Sequence, residues 1–263
     1  AQVPVSLDRL EEHRRLWQAK PELRAVYAVW FDLLLDGIPD GARVLEVGSG
    51  PGFLAEAARE RRPGVRWVSS DLLATGGNDL VADAGRLPLA TGSVDVVVGL
   101  DVLHHLPEPA RFFREAARVL GGRGELRVVE PWITPLGWVI YRFFHQEECR
   151  LGVAPWRPFP DEGKDALDGN AAVPWRLVGG TAGWEWRQLG LAPPRRLRLN
   201  CFAYLLSLGF REGSLLPAGL VRPLLALDRW SGLLSPLLAL RAALTWPSAA
   251  PEAAIPGETD DGA

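Results

Sequence analysis

Near its N-terminal end the chain reads Val44-Leu45-Glu46-Val47-Gly48-Ser49-Gly50-Pro51-Gly52-Phe53-Leu54. The apolar residues 43–47 predict a short buried strand, and residues 53–62 predict a helix directly after it. The glycines between them let a backbone approach a ligand without a Cβ in the way, and the following helix offers free N–H groups. The stretch therefore indicates a strand, a glycine-rich turn and a helix that together bind a nucleotide-like ligand.

Strand and helix patterns alternate on the C-terminal side of this stretch. Further strands are predicted at residues 65–70, 80–82, 94–99 and 124–129, and an amphipathic helix at residues 107–120. This spacing is typical of a parallel sheet that is covered by helices on both faces and binds ligands at the carboxyl ends of its strands.

The two ends of the chain have weaker patterns. Helical periodicity over residues 6–35, interrupted at Pro21, predicts two short helices. After Pro131 we predict a helix at residues 184–189 and a sixth strand at residues 195–206. The leucine-rich residues 215–244 favour helices that cover the core. An interfacial helix or an acyl-chain pocket is the alternative, although the few arginines there are sparse for a strongly cationic face.

Composition excludes several classes of protein. The 263 residues carry 29 Lys and Arg against 32 Asp and Glu, a net charge of −3, so no basic surplus indicates a nucleic-acid partner. No uncharged run approaches the roughly 20 residues that span a bilayer. Two cysteines, Cys149 and Cys201, and four histidines predict neither a disulfide framework nor a metal site. Without the apolar core of a signal peptide, the expected location is the cytoplasm.

Two features of the glycine-rich turn limit the choice of nucleotide. The spacing Gly-x-Gly-x-Gly places Phe53 where the dinucleotide fingerprint has its third glycine, and no Gly-Lys-Ser/Thr of a P-loop follows. Asp71 ends the second predicted strand, where its carboxylate can accept hydrogen bonds from both hydroxyls of a ribose. The alternative is that Asp71 caps a helix.

Two later motifs complete a family pattern. Asp83-Ala84-Gly85-Arg86-Leu87-Pro88-Leu89-Ala90 is followed by Gly92-Ser93-Val94-Asp95-Val96-Val97-Val98-Gly99-Leu100-Asp101-Val102-Leu103-His104-His105-Leu106. With the glycine turn and Asp71, these motifs resemble class I S-adenosylmethionine-dependent methyltransferases of the bacterial ubiquinone/menaquinone-biosynthesis type, between Ala42 and Pro131. The resemblance implies a Rossmann-like α/β fold: a mostly parallel seven-stranded sheet with helices on both faces and a helical cap.

The resemblance also implies a cofactor, S-adenosylmethionine, and the residues that hold it. Asp71 would bind the ribose hydroxyls, with Leu72 beside the adenine, and Asp83 would accept a hydrogen bond from the adenine amino group. The backbone of Gly99 and Leu100 would face the methionine ammonium. The full implied set is Glu46, Gly48, Ser49, Gly50, Gly52, Asp71, Leu72, Asp83, Ala84, Gly99 and Leu100.

Catalytic residues are harder to predict, because methyl transfer from a sulfonium needs mainly alignment and exclusion of water. His104, which follows the fourth strand, and His145 are the two candidates. We expect the neighbouring His105 to be a buried structural histidine and Asp95 to be structural as well.

The expected organisation has four segments: N-terminal cap helices (1–39), the cofactor-binding core (40–131), a substrate cap with the C-terminal part of the same domain (132–250), and a disordered tail (251–263). Residues 130–135 and 164–170, with Tyr141, His145 and Pro174, resemble a bacterial subgroup associated with cell-surface polysaccharide or lipid pathways. Eight of the eleven tryptophans follow Pro131, where the acceptor would be recognised.

The expected activity is methyl transfer to an O, N or C atom of a small-molecule or lipid-linked acceptor. Three alternatives remain open: an inactive member acting as a binding or regulatory partner, a nucleotide-dependent oxidoreductase, which the glycine spacing disfavours, and peripheral contact with a membrane. Oligomeric state is not predicted.

Overall fold

A computed structural model describes residues 3–145, 147–158, 168–181 and 183–249. The tail predicted at residues 251–263, and residues 164–167 of the subgroup motif, lie outside this part of the chain.

The centre of the fold is one sheet of seven strands in the order β3-β2-β1-β4-β5-β7-β6. All neighbouring strands are parallel except that β7 runs antiparallel to both β5 and β6. The predicted mostly parallel seven-stranded sheet is therefore confirmed. Its strands are β1 Arg43–Val47, β2 Arg66–Asp71, β3 Leu80–Val81, β4 Val96–Leu100, β5 Glu125–Pro131, β6 Arg195–Leu199 and β7 Arg241–Pro247.

Helices cover both faces of the sheet, and Pro21 separates the first two as predicted, since proline is tolerated at the first position of a helix. Two 3₁₀ turns, Ala218–Leu220 and Ser231–Leu234, flank α9. The helices are α1 Val3–Ala19, α2 Pro21–Leu35, α3 Phe53–Arg61, α4 Pro109–Leu120, α5 Pro135–Phe143, α6 Val173–Gly180, α7 Gly183–Gln188, α8 Phe202–Ser207, α9 Val221–Trp230 and α10 Ser235–Leu238.

Two apolar clusters lie on opposite faces of the sheet, because successive side chains of a strand point to opposite sides. One contains the two phenylalanines of α4 with Trp132, Trp186 and Trp246. The other joins α2 and α3 to α8 and α9 around Trp30 and Phe31. The N-terminal and C-terminal segments thus pack together against one face of the sheet.

Asp95 has the structural role that was expected. Its carboxylate accepts hydrogen bonds from the backbone N–H and the guanidinium of Arg43, and these bonds lower the pKa of Asp95 to about 2. The pair fixes the start of β1 beside the residue that precedes β4.

Two predictions for the C-terminal part are wrong. The strand predicted at residues 195–206 ends at Leu199, because the Asp228 carboxylate accepts the first N–H groups of α8 from Phe202 and Ala203. Residues 215–244 do not all form core-covering helices: the last of them begin β7, and most leucines between Leu215 and Leu237 are exposed. Among the described residues, no helix is both long and apolar enough to cross a membrane.

Candidate functional site

A cavity of about 1570 Å³ opens at the carboxyl ends of β1, β2 and β4. Its first part, here called the loop half, is lined by Glu46, the glycine-rich turn, Asp71 and Asp83. Its second part, the histidine half, is lined by residues that include His104, His105, His145, Glu147 and Arg241. The structure therefore brings together most of the predicted site residues; Gly52 and Gly99 do not line the cavity.

The glycine-rich turn has the backbone that its composition predicts. Gly48, Gly50 and Gly52 have φ angles of 65°, 49° and 88°, in the left-handed region that favours glycine. At Gly48 space is a second requirement, since a Cβ there would lie 2.8 Å from Cγ2 of Val102. The turn thus exposes backbone to the cavity where other residues would be strained.

Asp71 holds this turn in place. Its Oδ2 accepts a hydrogen bond from the Gly50 N–H at 2.7 Å, and its Oδ1 accepts one from the Leu73 N–H at 2.9 Å. Residues 72–79 form bends and irregular chain rather than a helix, so the helix-cap alternative is wrong. A carboxylate oxygen accepts more than one hydrogen bond, so Asp71 retains capacity for a ligand in the cavity.

The adenine-side candidates lie next to Asp71. Leu72 exposes most of its side chain at the cavity, and Asp83 is fixed by a hydrogen bond from the Gly85 N–H to its Oδ1 at 2.8 Å. Ala84 lines the wall between them. An apolar surface beside a fixed carboxylate suits a flat ring that carries an amino group.

Glu46 is a buried carboxyl group at the inner end of the loop half. The indole N–H of Trp67 donates to its Oε2 at 3.0 Å, yet burial raises the pKa of Glu46 to about 8. A carboxyl with such a raised pKa binds a cationic group favourably, because the cation restores the charge that burial disfavours.

His104 lies between two carboxylates. Its Nδ1 is 2.6 Å from Oε2 of Glu130 and its Nε2 is 3.1 Å from Oε2 of Glu147. Glu130 is itself fixed, since its Oε1 accepts the N–H groups of Val102 and Leu103. Burial opposes the charge of the ring, but Glu147 and Glu130 outweigh it and raise the pKa of His104 to about 10. At neutral pH His104 is therefore an imidazolium with a carboxylate at each ring nitrogen.

His105 is in the opposite state. Burial and the positive charge of His104 lower the pKa of His105 to about 4, so its ring is neutral at pH 7. It lines the cavity, with Nε2 at 3.9 Å from Oε1 of Glu147. The expected structural histidine is thus the one that presents a neutral imidazole to the cavity.

His145 follows α5 and also lines the histidine half. Its Nδ1 accepts a hydrogen bond from the Glu147 N–H at 3.2 Å, and burial lowers the pKa of His145. The catalytic roles predicted for His104 and His145 stay predictions. The contacts of His104 suit a group that positions its neighbours.

The cluster offers atoms that can ligate a cation. A ring nitrogen from each of His104 and His105 and one oxygen of Glu147 lie within 4.8 Å of one another. The proton on His104 already supplies a positive charge to this cluster. The expected absence of a metal therefore stays a prediction.

Sequence reasoning missed Glu130 and Glu147 as partners of His104, and it missed Arg241. Arg241 is a buried cation whose Nη1 is 2.5 Å from Oδ1 of Asp101, and its guanidinium lies 4.2 Å from the ring centre of Trp30. Asp101 has a φ of 58°, unusual for a residue other than glycine. Arg241 and Asp101 are distant in sequence, so no motif contains both. They come into contact because Arg241 begins the antiparallel strand β7 and Asp101 directly follows β4.

Comparison with known proteins agrees with this geometry. Residues 45–128 match the family model described as methyltransferase domain. An uncharacterized methyltransferase of Mycobacterium sp. (strain JLS) is 38% identical over 109 residues, which are 38% of this chain and 43% of that protein. The malonyl-[acyl-carrier protein] O-methyltransferase of Geobacter sulfurreducens is 35% identical over 105 residues, 35% of this chain and 39% of that protein. The matches span less than half the length of these curated relatives.

Solved structures share the architecture. A SAM-dependent methyltransferase from Archaeoglobus fulgidus has a TM-score of 0.50 at 14% identity, over 86% of this chain and 94% of that one. A SAM-dependent methyltransferase from Thermotoga maritima, described as a possible histamine N-methyltransferase, has a TM-score of 0.51 at 15% identity, over 92% and 97%. At these identities the likeness concerns the fold. Residues 45–128 therefore match the methyltransferase domain model, and the chain has the Rossmann-like fold of the class I methyltransferases.

Proposed function

We propose that this protein transfers the methyl group of S-adenosylmethionine to an acceptor bound in the histidine half of the cavity. The observation that carries the proposal is that one cavity is lined both by the glycine-rich turn with its carboxylates and by the histidine cluster. Its volume of about 1570 Å³ exceeds the 300–1,000 Å³ that is typical for one small ligand. Two ligands therefore have room to meet.

The residues of the loop half fit the cofactor. S-adenosylmethionine supplies a methyl group that is already activated by the sulfonium, so the protein has to align the reactants and exclude water. Asp71 offers a fixed carboxylate for the ribose hydroxyls, and Asp83 with Leu72 suits the adenine. Glu46 is a buried carboxyl that gains from a cation such as the methionine ammonium or the sulfonium.

The histidine half supports removal of a proton from an O–H or N–H acceptor. His105 is the neutral imidazole of the cluster, so it has a lone pair for the proton. His104 is held between Glu130 and Glu147, and the centre of its ring lies 4.1 Å from the centre of the His105 ring. We therefore assign His104 the role of positioning His105 and Glu147. His145, whose lowered pKa also leaves it neutral, is the second candidate base.

A small-molecule or lipid-linked acceptor fits the cavity, and the net charge of −3 disfavours nucleic acid. A cytoplasmic location agrees with two free cysteines. The ubiquinone/menaquinone-biosynthesis type is supported only by the motifs between Ala42 and Pro131. The inactive alternative is disfavoured, because Glu46, Asp71 and Asp83 all remain at the cavity.

Titration calorimetry with S-adenosylhomocysteine tests the proposal. We expect binding in the micromolar range, typical of enzyme ligands, and at least about tenfold weaker binding by Asp71→Asn. The asparagine keeps one oxygen for the Gly50 N–H but cannot accept two hydroxyls as a carboxylate does.

The matched control is Asp40→Asn, at an exposed aspartate outside the cavity, which should bind like the wild type. Equal affinity of the wild type and Asp71→Asn would contradict the site. Binding of NADH in place of S-adenosylhomocysteine would contradict the proposed function as a whole.

A further inference from the structure

Seven large apolar side chains are exposed between residues 213 and 240. Leu233 is 96% exposed and Trp230 is 85% exposed, values reached when a side chain has almost no neighbours. A scattered exposed leucine is ordinary, but a contiguous group marks a surface that binds something apolar. The group consists of Leu215, Leu220, Leu227, Trp230, Leu233, Leu234 and Leu237.

The helix α5 extends this surface. It packs against α10 and exposes Trp138, Val139 and Phe143, with Phe144 directly after it. The rings of Trp138 and Phe143 contact edge to face, with centroids 5.8 Å apart. We call the surface formed by the exposed side chains of residues 135–144 and 213–240 the leucine face.

Hydrogen bonds hold polar side chains of this segment towards the protein. Asp228 accepts the N–H groups of Phe202 and Ala203 at the start of α8, and Ser231 accepts from the side-chain amide of Asn200 at 2.7 Å. Their sequence neighbours Leu227, Trp230 and Leu233 then point to solvent. Because Val221, Leu224 and Leu225 of α9 pack against the core, this helix carries apolar side chains on both faces, whereas an ordinary surface helix has a polar outer face.

The exposed charges of the leucine face have one sign. Residues 135–144 and 213–240, all of them described, expose Arg142, Arg222 and Arg229 and no carboxylate. Their one acidic residue is Asp228, which is partly buried and used by α8. The surface therefore combines leucine and tryptophan with three arginines, fewer than a strongly cationic interfacial helix carries, so its exposed apolar side chains are the main resemblance to segments that lie in the headgroup region of a membrane.

We infer that the leucine face docks onto the surface of a membrane that contains anionic lipid. A second copy of the chain is a poorer occupant, because a twofold interface pairs the same patch with itself, and this patch exposes no carboxylate that could pair with its arginines. An anionic leaflet supplies the missing negative charge while its acyl region accepts Trp230 and Leu233.

The leucine face reaches the rim of the cavity. Phe144 is exposed and also lines the cavity, and its carbonyl oxygen accepts a hydrogen bond from Arg211 at 2.7 Å. A docked molecule would thus bring the cavity to lipid-linked compounds. This extension rests on the proposed function, whereas docking is measured without cofactor, so the two can fail separately.

The test is co-sedimentation of the full chain with vesicles. We expect the wild type to sediment with vesicles of phosphatidylcholine containing about one third phosphatidylglycerol, and less as salt is raised. Trp230→Ser combined with Leu233→Ser should weaken binding at least about tenfold, because the inserted apolar area is lost. Arg222→Gln combined with Arg229→Gln should remove most of the dependence on anionic lipid and on salt.

Leu197→Ser is the matched control, at an exposed leucine on β6 outside the leucine face, and should sediment like the wild type. Circular dichroism checks that each variant is folded. The inference is overturned if the wild-type protein stays in the supernatant. It is also overturned if the Leu197→Ser control loses as much binding as the variant with both Trp230→Ser and Leu233→Ser. Light scattering that shows a dimer abolished by the same two substitutions assigns the face to a second copy and overturns it too.

Discussion

Gly99 illustrates how a glycine in a motif can be required for packing rather than for binding. It was predicted to face the cofactor through its backbone, yet it does not line the cavity. A Cβ at Gly99 would lie 2.6 Å from Cγ1 of Val102, the residue that also crowds Gly48. Val102 therefore requires glycine at the ends of both β1 and β4.

Gly99→Ala should lower the free energy of unfolding by about 1–3 kcal/mol, as overpacking of a core usually does. Val102→Ala removes the clashing methyl groups, so the double variant should be no less stable than Val102→Ala alone. Denaturant unfolding of the three variants measures this coupling. Strictly additive losses would show that Val102 is not the obstacle.

The state of His104 predicts a dependence on pH. Its pKa of about 10 lies above the unfolded value of 6.5, so its stabilising contribution is complete below pH 6.5 and is lost as the pH rises towards 10. Glu147→Gln removes one of the two facing carboxylates and should move the pKa of His104 downwards. Titration of the imidazole signals by NMR measures the change.

Glu148→Gln is the control, because Glu148 is an exposed neighbour paired with Arg150. It should leave the pKa of His104 where it is. Wild-type His104 titrating near 6.5 would contradict the contacts with Glu130 and Glu147.

Among residues, the sequence allowed prediction of those whose role is local. Glycines of a turn and an aspartate at the end of a strand are recognisable because backbone geometry restricts what can stand there. The partners Glu130 and Glu147 of His104, and Arg241 of Asp101, come from distant parts of the chain. These contacts depend on how α5 and β7 pack against the rest of the fold. The spacing of residues in the sequence does not predict that packing.

Among the elements, β7 differs most from the prediction. It pairs with β5 and β6 and contributes Trp246 to the core, although its first residues end the leucine-rich run that was predicted to be helical. A short apolar segment fits a buried strand as well as a helix, and periodicity alone does not separate the two. The strands β1 to β5 were predictable because glycine or proline and helical segments bound each of them.

Two tryptophans provide a test at this scale. Trp246 is fully buried between the ring of Phe113 and that of Trp186, so Trp246→Ala should lower the free energy of unfolding by about 3–5 kcal/mol. Trp230→Ala should change it by less than about 0.5 kcal/mol, since that side chain is exposed. Denaturant unfolding of both variants measures the two changes in the free energy of unfolding. Similar losses would contradict the positions given to the two side chains.

For the whole molecule, five tryptophans of the C-terminal half fall into two groups. Trp132, Trp186 and Trp246 are core residues on one face of the sheet, as plain packing predicts. Trp138 and Trp230 are exposed on the leucine face. The composition indicated only that this half is rich in tryptophan. The structure shows which tryptophans stabilise the core and which are available for contact with other molecules.

The central claim is that the loop half of the cavity is the S-adenosylmethionine site and opens into the histidine half. A crystal structure of the full chain with S-adenosylhomocysteine tests it most directly. We predict the ribose hydroxyls on the Asp71 carboxylate, the adenine between Leu72 and Asp83, and the sulfur facing His105. A ligand located elsewhere, or lying along the turn with its sulfur directed away from the histidine half, would contradict the account.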